Sequence, residues 1–273
     1  MAEELDTKIV AWLKKSGFPL EMRTAARFAD AGFNVVQSPY YVDPETSAAR
    51  EIDVLAHKEN VETDAWLRVS CVVECKSGRD APWIVFPNRE GLLAPHARVS
   101  MLGASILSRP FLSRISRNIA ISGLKAFSST RISGLGMVQA FKEHPDHAFA
   151  AMMGAGKAAS YLLDEWAKHS EADETFDLVW PLIVTEAPLF QATLSAENEL
   201  SVEKIDAATV LWRHPSIGPG LGAIEVVTAE FAEQHIPDIG AAIDAILTQT
   251  ATELERSLAK RRERAAQRSA RAV

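Results

Sequence analysis

The sequence predicts an α/β fold in which a mixed central sheet is flanked by helices. Two patterns point to it. Segments with apolar residues at helical spacing alternate along the chain with short extended runs. The run 176–185 is almost wholly apolar, as expected of a strand covered on both faces in the middle of a sheet. Composition agrees: 273 residues, 47% hydrophobic and 24% charged, suit a folded domain with a sizeable core and argue against general disorder.

Taken in order, residues 4–15 carry apolar side chains at helical spacing and stop at Ser16-Gly17. A second helix opens at Phe18-Pro19, where proline suits a first turn, and closes at Gly32. Residues 33–42 read as a strand, 43–47 as a turn, and 50–57 as the returning strand of a hairpin. A third strand follows over 66–76. Residues 78–145 mix Pro, Gly and Ser with the bases Arg109, Arg114, Arg117, Lys125 and Arg131, and read as an irregular or helical insertion. A nucleic-acid contact surface and a solvated face are equal readings of those bases. A helix is expected over 146–169, then strands over 176–185, 189–194, 207–213 and 222–228. A helix from Pro237 to about residue 264 opens a basic C-terminal tail, 237–273. No repeat interrupts this order, and 1–273 reads as a single domain.

Net charge is −7, yet from Arg256 onward seven bases face one acid, so the rest of the chain is more acidic still. Overall charge therefore gives no vote for nucleic acid, although a basic tail can dock on phosphate or on the protein's own acidic surface. The acidic start lacks the features of a signal peptide, and no run approaches ~20 apolar residues, so a cytoplasmic protein with no membrane partner is expected. Cys71 and Cys75 lie on one extended run, roughly 13 Å apart, too far for a disulfide.

The stretch Val69-Ser70-Cys71-Val72-Val73-Glu74-Cys75-Lys76-Ser77-Gly78 holds the chemistry. Side chains alternate along a strand, so Glu74 and Lys76 share one face while Cys71, Val73 and Cys75 share the other. Ionised groups at the end of a buried strand are costly to desolvate, which calls for a reason beyond stability. Phosphodiester hydrolysis supplies one. It needs a divalent cation, held for Mg²⁺ by one or two carboxylates, and a group that orients water. Asp53 and Glu74 on neighbouring strands offer the carboxylates, the Cys75 carbonyl a third oxygen, and Lys76 a charge for the transition state. Glu21, on the preceding helix, is placed to hold a metal-bound water. Two close acids repel unless a cation lies between them.

Asp53 followed 21 residues later by Glu74-Cys75-Lys76, at the end of an apolar run, resembles the PD-(D/E)xK nuclease superfamily with its restriction-endonuclease-like fold. The phrase Arg50-Glu51-Ile52-Asp53-Val54-Leu55 and the hairpin before it look most like the Mrr-like branch. The likeness covers roughly residues 18–78. It implies a metal-dependent endonuclease acting on nucleic acid, DNA before RNA, with Mg²⁺ as cofactor and Mn²⁺ able to substitute. Asp53 and Glu74 would be its metal ligands, Lys76 its catalytic base or electrostatic stabiliser, and Glu21 the helix acid. A homodimer is compatible with it. The sequence departs from the pattern in lacking a proline immediately before Asp53, and its long 78–145 segment delays the next helix. Two other readings stand beside it: a catalytically inactive nuclease-fold protein acting as a binding or assembly subunit, and a structural protein whose Glu74 and Lys76 merely pair. Gly154-Ala155-Gly156-Lys157 is helix interior rather than a phosphate loop, since Ala151 and Ala158 stand where that motif needs Gly and Ser or Thr.

Overall fold

The computed structural model describes residues 2–14, 16–60, 65–128, 132–141, 146–212 and 221–271. Helix α1 (Ala2–Leu13) precedes α2 (Phe18–Asp30), which has Pro19 in its first turn and a buried stripe of Leu20, Thr24, Ala25 and Phe28. The expected hairpin then divides. Ser38 takes a positive φ of 56° ahead of Pro39, which breaks the first strand into β1 (Asn34–Gln37) and β2 (Tyr40–Val42). The returning strand breaks opposite, into β3 (Ala49–Glu51) and β4 (Val54–Asn60). β2 and β3 form a small sheet of their own, while β1 and β4 pair in the main sheet. Asp53 therefore lies at the bend between strands rather than within one.

β5 (Trp66–Lys76) follows as expected. The segment 78–145 does not behave as an insertion. It holds two main-sheet strands, β6 (Trp83–Leu92) and β8 (Ile132–Gln139), around α3 (Pro95–Ser100), the short β7 (Gly103–Ala104), α4 (Arg109–Ile115), α5 (Ile119–Ser122) and α6 (Lys125–Ser128). Helix α7 (His147–Asp173) is capped by Asp146, whose side chain accepts from the Phe149 N–H. Then come β9 (Thr175–Thr185), β10 (Leu189–Leu194), β11 (Leu200–Ile205), β12 (Ala207–Leu211) and β13 (Ala223–Thr228). Arg213, expected to end one of these strands, lies outside the described residues. The last helix starts earlier than Pro237: Thr228 caps α8 (Ala229–Gln249) by accepting from the Phe231 N–H, and Pro237 sits inside it. The chain breaks at Thr250 before α9 (Ala251–Arg271).

The main sheet is mixed and runs β1-β4-β5-β9-β13-β12-β8-β6-β10-β11, with β7 beside β9. β5, β9 and β13 are parallel to one another. β10 lies five places from β9 in that order, yet follows it after Glu186-Ala187-Pro188. Five spacings of ~4.8 Å in a flat sheet exceed the ~14 Å that this short link can span, so the sheet must curl. α7 packs on one face of the sheet, touching β5, β8, β9 and β13. Two cores result. One joins α2, α8 and the helices α3–α6 to one face, and the other joins α7 to the opposite face. β9 is buried along its whole length, as its apolar run predicts. No described helix is long and apolar enough to cross a membrane.

Candidate active site

β5 is an interior strand, so Glu74 and Lys76 are not an edge-strand pair. Its antiparallel ladder with β4 ends at Val54 opposite Val73, while its parallel ladder with β9 continues to Lys76 opposite Thr185. Glu74, Cys75 and Lys76 thus run past the end of β4, at the carboxyl end of parallel strands where α/β sheets commonly bind ligands. Asp53 turns into the gap, and its Oδ2 accepts from the Cys75 N–H at 2.6 Å. A side chain here takes the ladder bond that β4 no longer supplies. Because N–H and C=O of one strand residue face the same edge, the Cys75 carbonyl points to the side of Asp53.

The predicted division of faces holds. Cys71, Val73 and Cys75 lie in the α2/α8 core. Glu74 and Lys76 lie on the other face, with Lys76 Nζ 2.5 Å from Glu74 Oε1 and side-chain exposures of 16% for Glu74 and 31% for Lys76. α7 crosses closely over them at Gly154, where an added Cβ would lie 2.9 Å from Glu74 Oε2. Both cysteines are free and buried.

The site is electrostatically tense. Burial pushes the Glu74 carboxyl up to about 7; Lys76 opposes this, while Asp53 and Glu21 add to it. Burial raises Asp53 as well, against the pull of the Cys75 N–H and Lys76 and with Glu51 reinforcing. Glu21 is raised by burial, then by Asp53 and Glu51. Burial works to lower Lys76, but Glu74 and Asp53 outweigh it and hold the ammonium above its ordinary range. All four predicted residues therefore feel one another's charge. Sequence reasoning missed Glu51, whose only signal is its place two residues before Asp53. It also missed Tyr41, whose phenol is pushed up to about 12 by burial with Asp43 and Glu74 adding.

Bases rim the site. Glu186 donates its N–H to the Lys76 carbonyl at 2.9 Å, and its carboxylate receives Arg23 at 2.8 Å and Arg79 at 2.9 Å. Among the described residues, the bases singled out in 78–145 do not join this rim. Arg114 bonds Ser257, and Lys125 pairs with Asp238 at 3.0 Å. Arg131 lies outside the described residues. The basic tail folds back in part: Arg262 grips Glu174 through two hydrogen bonds, and Arg261 lies over Phe176.

Among the described residues, no three His, Cys, Asp or Glu side chains converge into a metal-binding group. Mg²⁺ does not require one, since it commonly takes one or two carboxylates and completes its shell with water and substrate oxygen. Asp53, Glu74 and the Cys75 carbonyl are the oxygens that could supply such a shell. Burial raises Glu21, Asp53 and Glu74, neighbouring acids add to it, and a cation would offset both effects. No family model, curated protein or solved structure matches this chain.

Proposed function

We propose that this protein is a metal-dependent endonuclease, hydrolysing phosphodiester bonds of DNA before RNA, with Asp53 and Glu74 holding Mg²⁺ or Mn²⁺. One observation supports this above the others: the Asp53 carboxylate bonds the Cys75 N–H, between the two residues whose side chains form the rest of the site. A helix, a bent hairpin and a Glu-x-Lys strand with a parallel neighbour also agree with a restriction-endonuclease-like core.

The cation would neutralise phosphoryl charge and lower the pKa of a bound water. Asp53, fixed by a backbone donor, needs no reorganisation to serve as a ligand. Lys76 stays protonated beside Glu74 and acts by stabilising negative charge as it develops, a role that suits it better than that of a base. Glu21 is left to orient water. Arg23 and Arg79 share the single carboxylate of Glu186, so net positive charge remains to meet the phosphates on either side of the cut.

Purified protein incubated with single- and double-stranded DNA should cleave with Mg²⁺ or Mn²⁺ and stop with chelator. Asp53→Asn, Glu74→Gln and Lys76→Ala should each lower the rate by about 100-fold or more while remaining folded by circular dichroism. If wild type is as inert as Lys76→Ala on every DNA and RNA tried, and titration calorimetry detects no Mn²⁺ binding, the enzymatic reading fails. The closed Glu74–Lys76 pair favours a second reading, a nuclease-like fold that binds nucleic acid without cutting it. That reading predicts DNA binding that Lys76→Ala leaves unchanged and no cleavage with either metal.

A further inference from the structure

A cavity of about 460 Å³ lies between α3 and α4 of the segment 78–145, with Leu221 and Gly222 also lining it. We propose that this cleft binds a small organic phosphate, independently of the Glu74 site.

One wall is a helical stripe. Arg109, Leu112, Ser113, Ser116 and Arg117 recur at i, i+3, i+4, i+7 and i+8, so α4 and the turn after it present them together. His96 and Ser100, one turn apart on α3, face them. Leu102, Ala104 and Leu221 make the floor. The volume lies within the range of small-molecule sites, and an apolar floor with a few converging polar groups is their usual make-up.

The charge is one-sided: among the described residues, no acid lines the cleft. Other bases of this segment are engaged by the protein. Arg98 donates to the Phe127 and Ala126 carbonyls and lies 3.6 Å from Glu225, while Arg114 and Lys125 bond Ser257 and Asp238. Among the described residues, the Arg109 and Arg117 guanidinium groups have no such partner. The helix dipole accounts for only one of them. It favours a base near the C-terminal end of α4, where Arg117 lies, and disfavours one at the N-terminal end, where Arg109 lies. The Ser100 and Ser116 hydroxyls donate to the Ala97 and Ser113 carbonyls, so the side-chain donors left for a ligand are the two guanidinium groups, Ser113 and the His96 ring. Paired guanidinium donors suit a phosphate better than a carboxylate, because a phosphate offers three oxygens to two forks. The leucine floor takes the organic body.

Titration calorimetry on the full chain tests this with adenosine 5′-monophosphate, inorganic phosphate and adenosine as probes. The monophosphate should bind saturably with Kd below ~1 mM, and both other probes should bind about tenfold more weakly or less. Arg109→Ala and Arg117→Ala should each weaken the monophosphate about tenfold without changing Tm, since neither side chain is buried or paired. Glu74→Gln should leave it unchanged, which separates this cleft from the nuclease reading. Absence of saturable binding overturns the proposal. So does binding that survives the double arginine variant, equal affinity for inorganic phosphate, or arginine variants that weaken only an oligonucleotide.

Discussion

Gly154 stands where α7 crosses the end of β5, and two residues later Gly156 faces Trp212. A Cβ at Gly154 would meet Glu74 Oε2 at 2.9 Å, the mobile end of a side chain, whereas a Cβ at Gly156 would meet the Trp212 ring at 2.5 Å. The same substitution should therefore act differently at the two positions. Gly→Ala inside a helix stabilises by roughly 0.5–1 kcal/mol when nothing obstructs it. Gly154→Ala should keep wild-type stability, because Glu74 can swing aside, but that displacement should remove most metal-dependent cleavage. Gly156→Ala should instead lose about 1–3 kcal/mol to overpacking while the surviving folded molecules still cleave. Urea denaturation and a cleavage assay on both variants check this, and equal activity of Gly154→Ala and wild type would count against Glu74 as a ligand. Glu74, Lys76 and their shared face were legible because a strand alternates sides strictly. The crowding by α7 was not, because it comes from residues 80 positions further along the chain.

At the level of elements, the β2–β3 sheet holds to α7 through the packing of Tyr41 on Tyr161 and through one lysine. Lys157, read from sequence as helix interior, lies in α7 and reaches Asp43 at 3.0 Å and Glu45 at 2.7 Å. Burial would raise the Asp43 carboxyl, but Lys157 and the Glu45 and Thr46 N–H groups together bring it down to about 2. Its unfolded value lies near ~3.9, so the folded state binds the proton less readily. The stability this contributes is complete above pH ~4 and is lost as pH falls through about 2. Lys157→Met should cost about 3 kcal/mol at neutral pH and flatten the acid limb of the stability curve, both readable from urea midpoints at stepped pH. A midpoint unchanged by the substitution would mean that the small sheet holds without it. Turn chemistry marked residues 43–47, but the split of the hairpin depended on the positive φ of Ser38, which serine does not announce. β6 and β8 were hidden for a related reason. Gly134 reads as a loop residue, yet a Cβ there would meet Val85 at 2.5 Å, so the glycine permits close approach of two strands. Pro87 sits at a register shift of the β6–β8 ladder, where a strand tolerates the missing N–H.

Across the whole molecule, those hidden strands decide whether the two halves of the sheet are joined. In the order β12-β8-β6-β10, removing 78–145 would strip both middle strands and leave β12 and β10 without neighbours on that side. The same deletion removes Phe111, Ile115, Ile121 and Phe127 from one core and Trp83 and Val85 from the other, each almost fully buried. At about 1.5–3 kcal/mol per side chain these six alone match or exceed the roughly 5–15 kcal/mol that separates folded from unfolded states. Arg98 and Glu225 would also part, leaving Glu225 buried with Trp180 and His235 but without its cation. A peripheral insertion would behave otherwise, since exposed additions with few contacts can be removed at little cost. A chain joining Ser77 to Asp146 should therefore show no cooperative urea transition by far-UV circular dichroism and no nuclease activity, although Glu21, Asp53, Glu74 and Lys76 are all retained. Cooperative unfolding of that shortened chain would mean that β1, β4, β5, β9 and β13 form a stable sheet with α2, α7 and α8 without the segment, which would then be an addition to a core built by the rest of the chain.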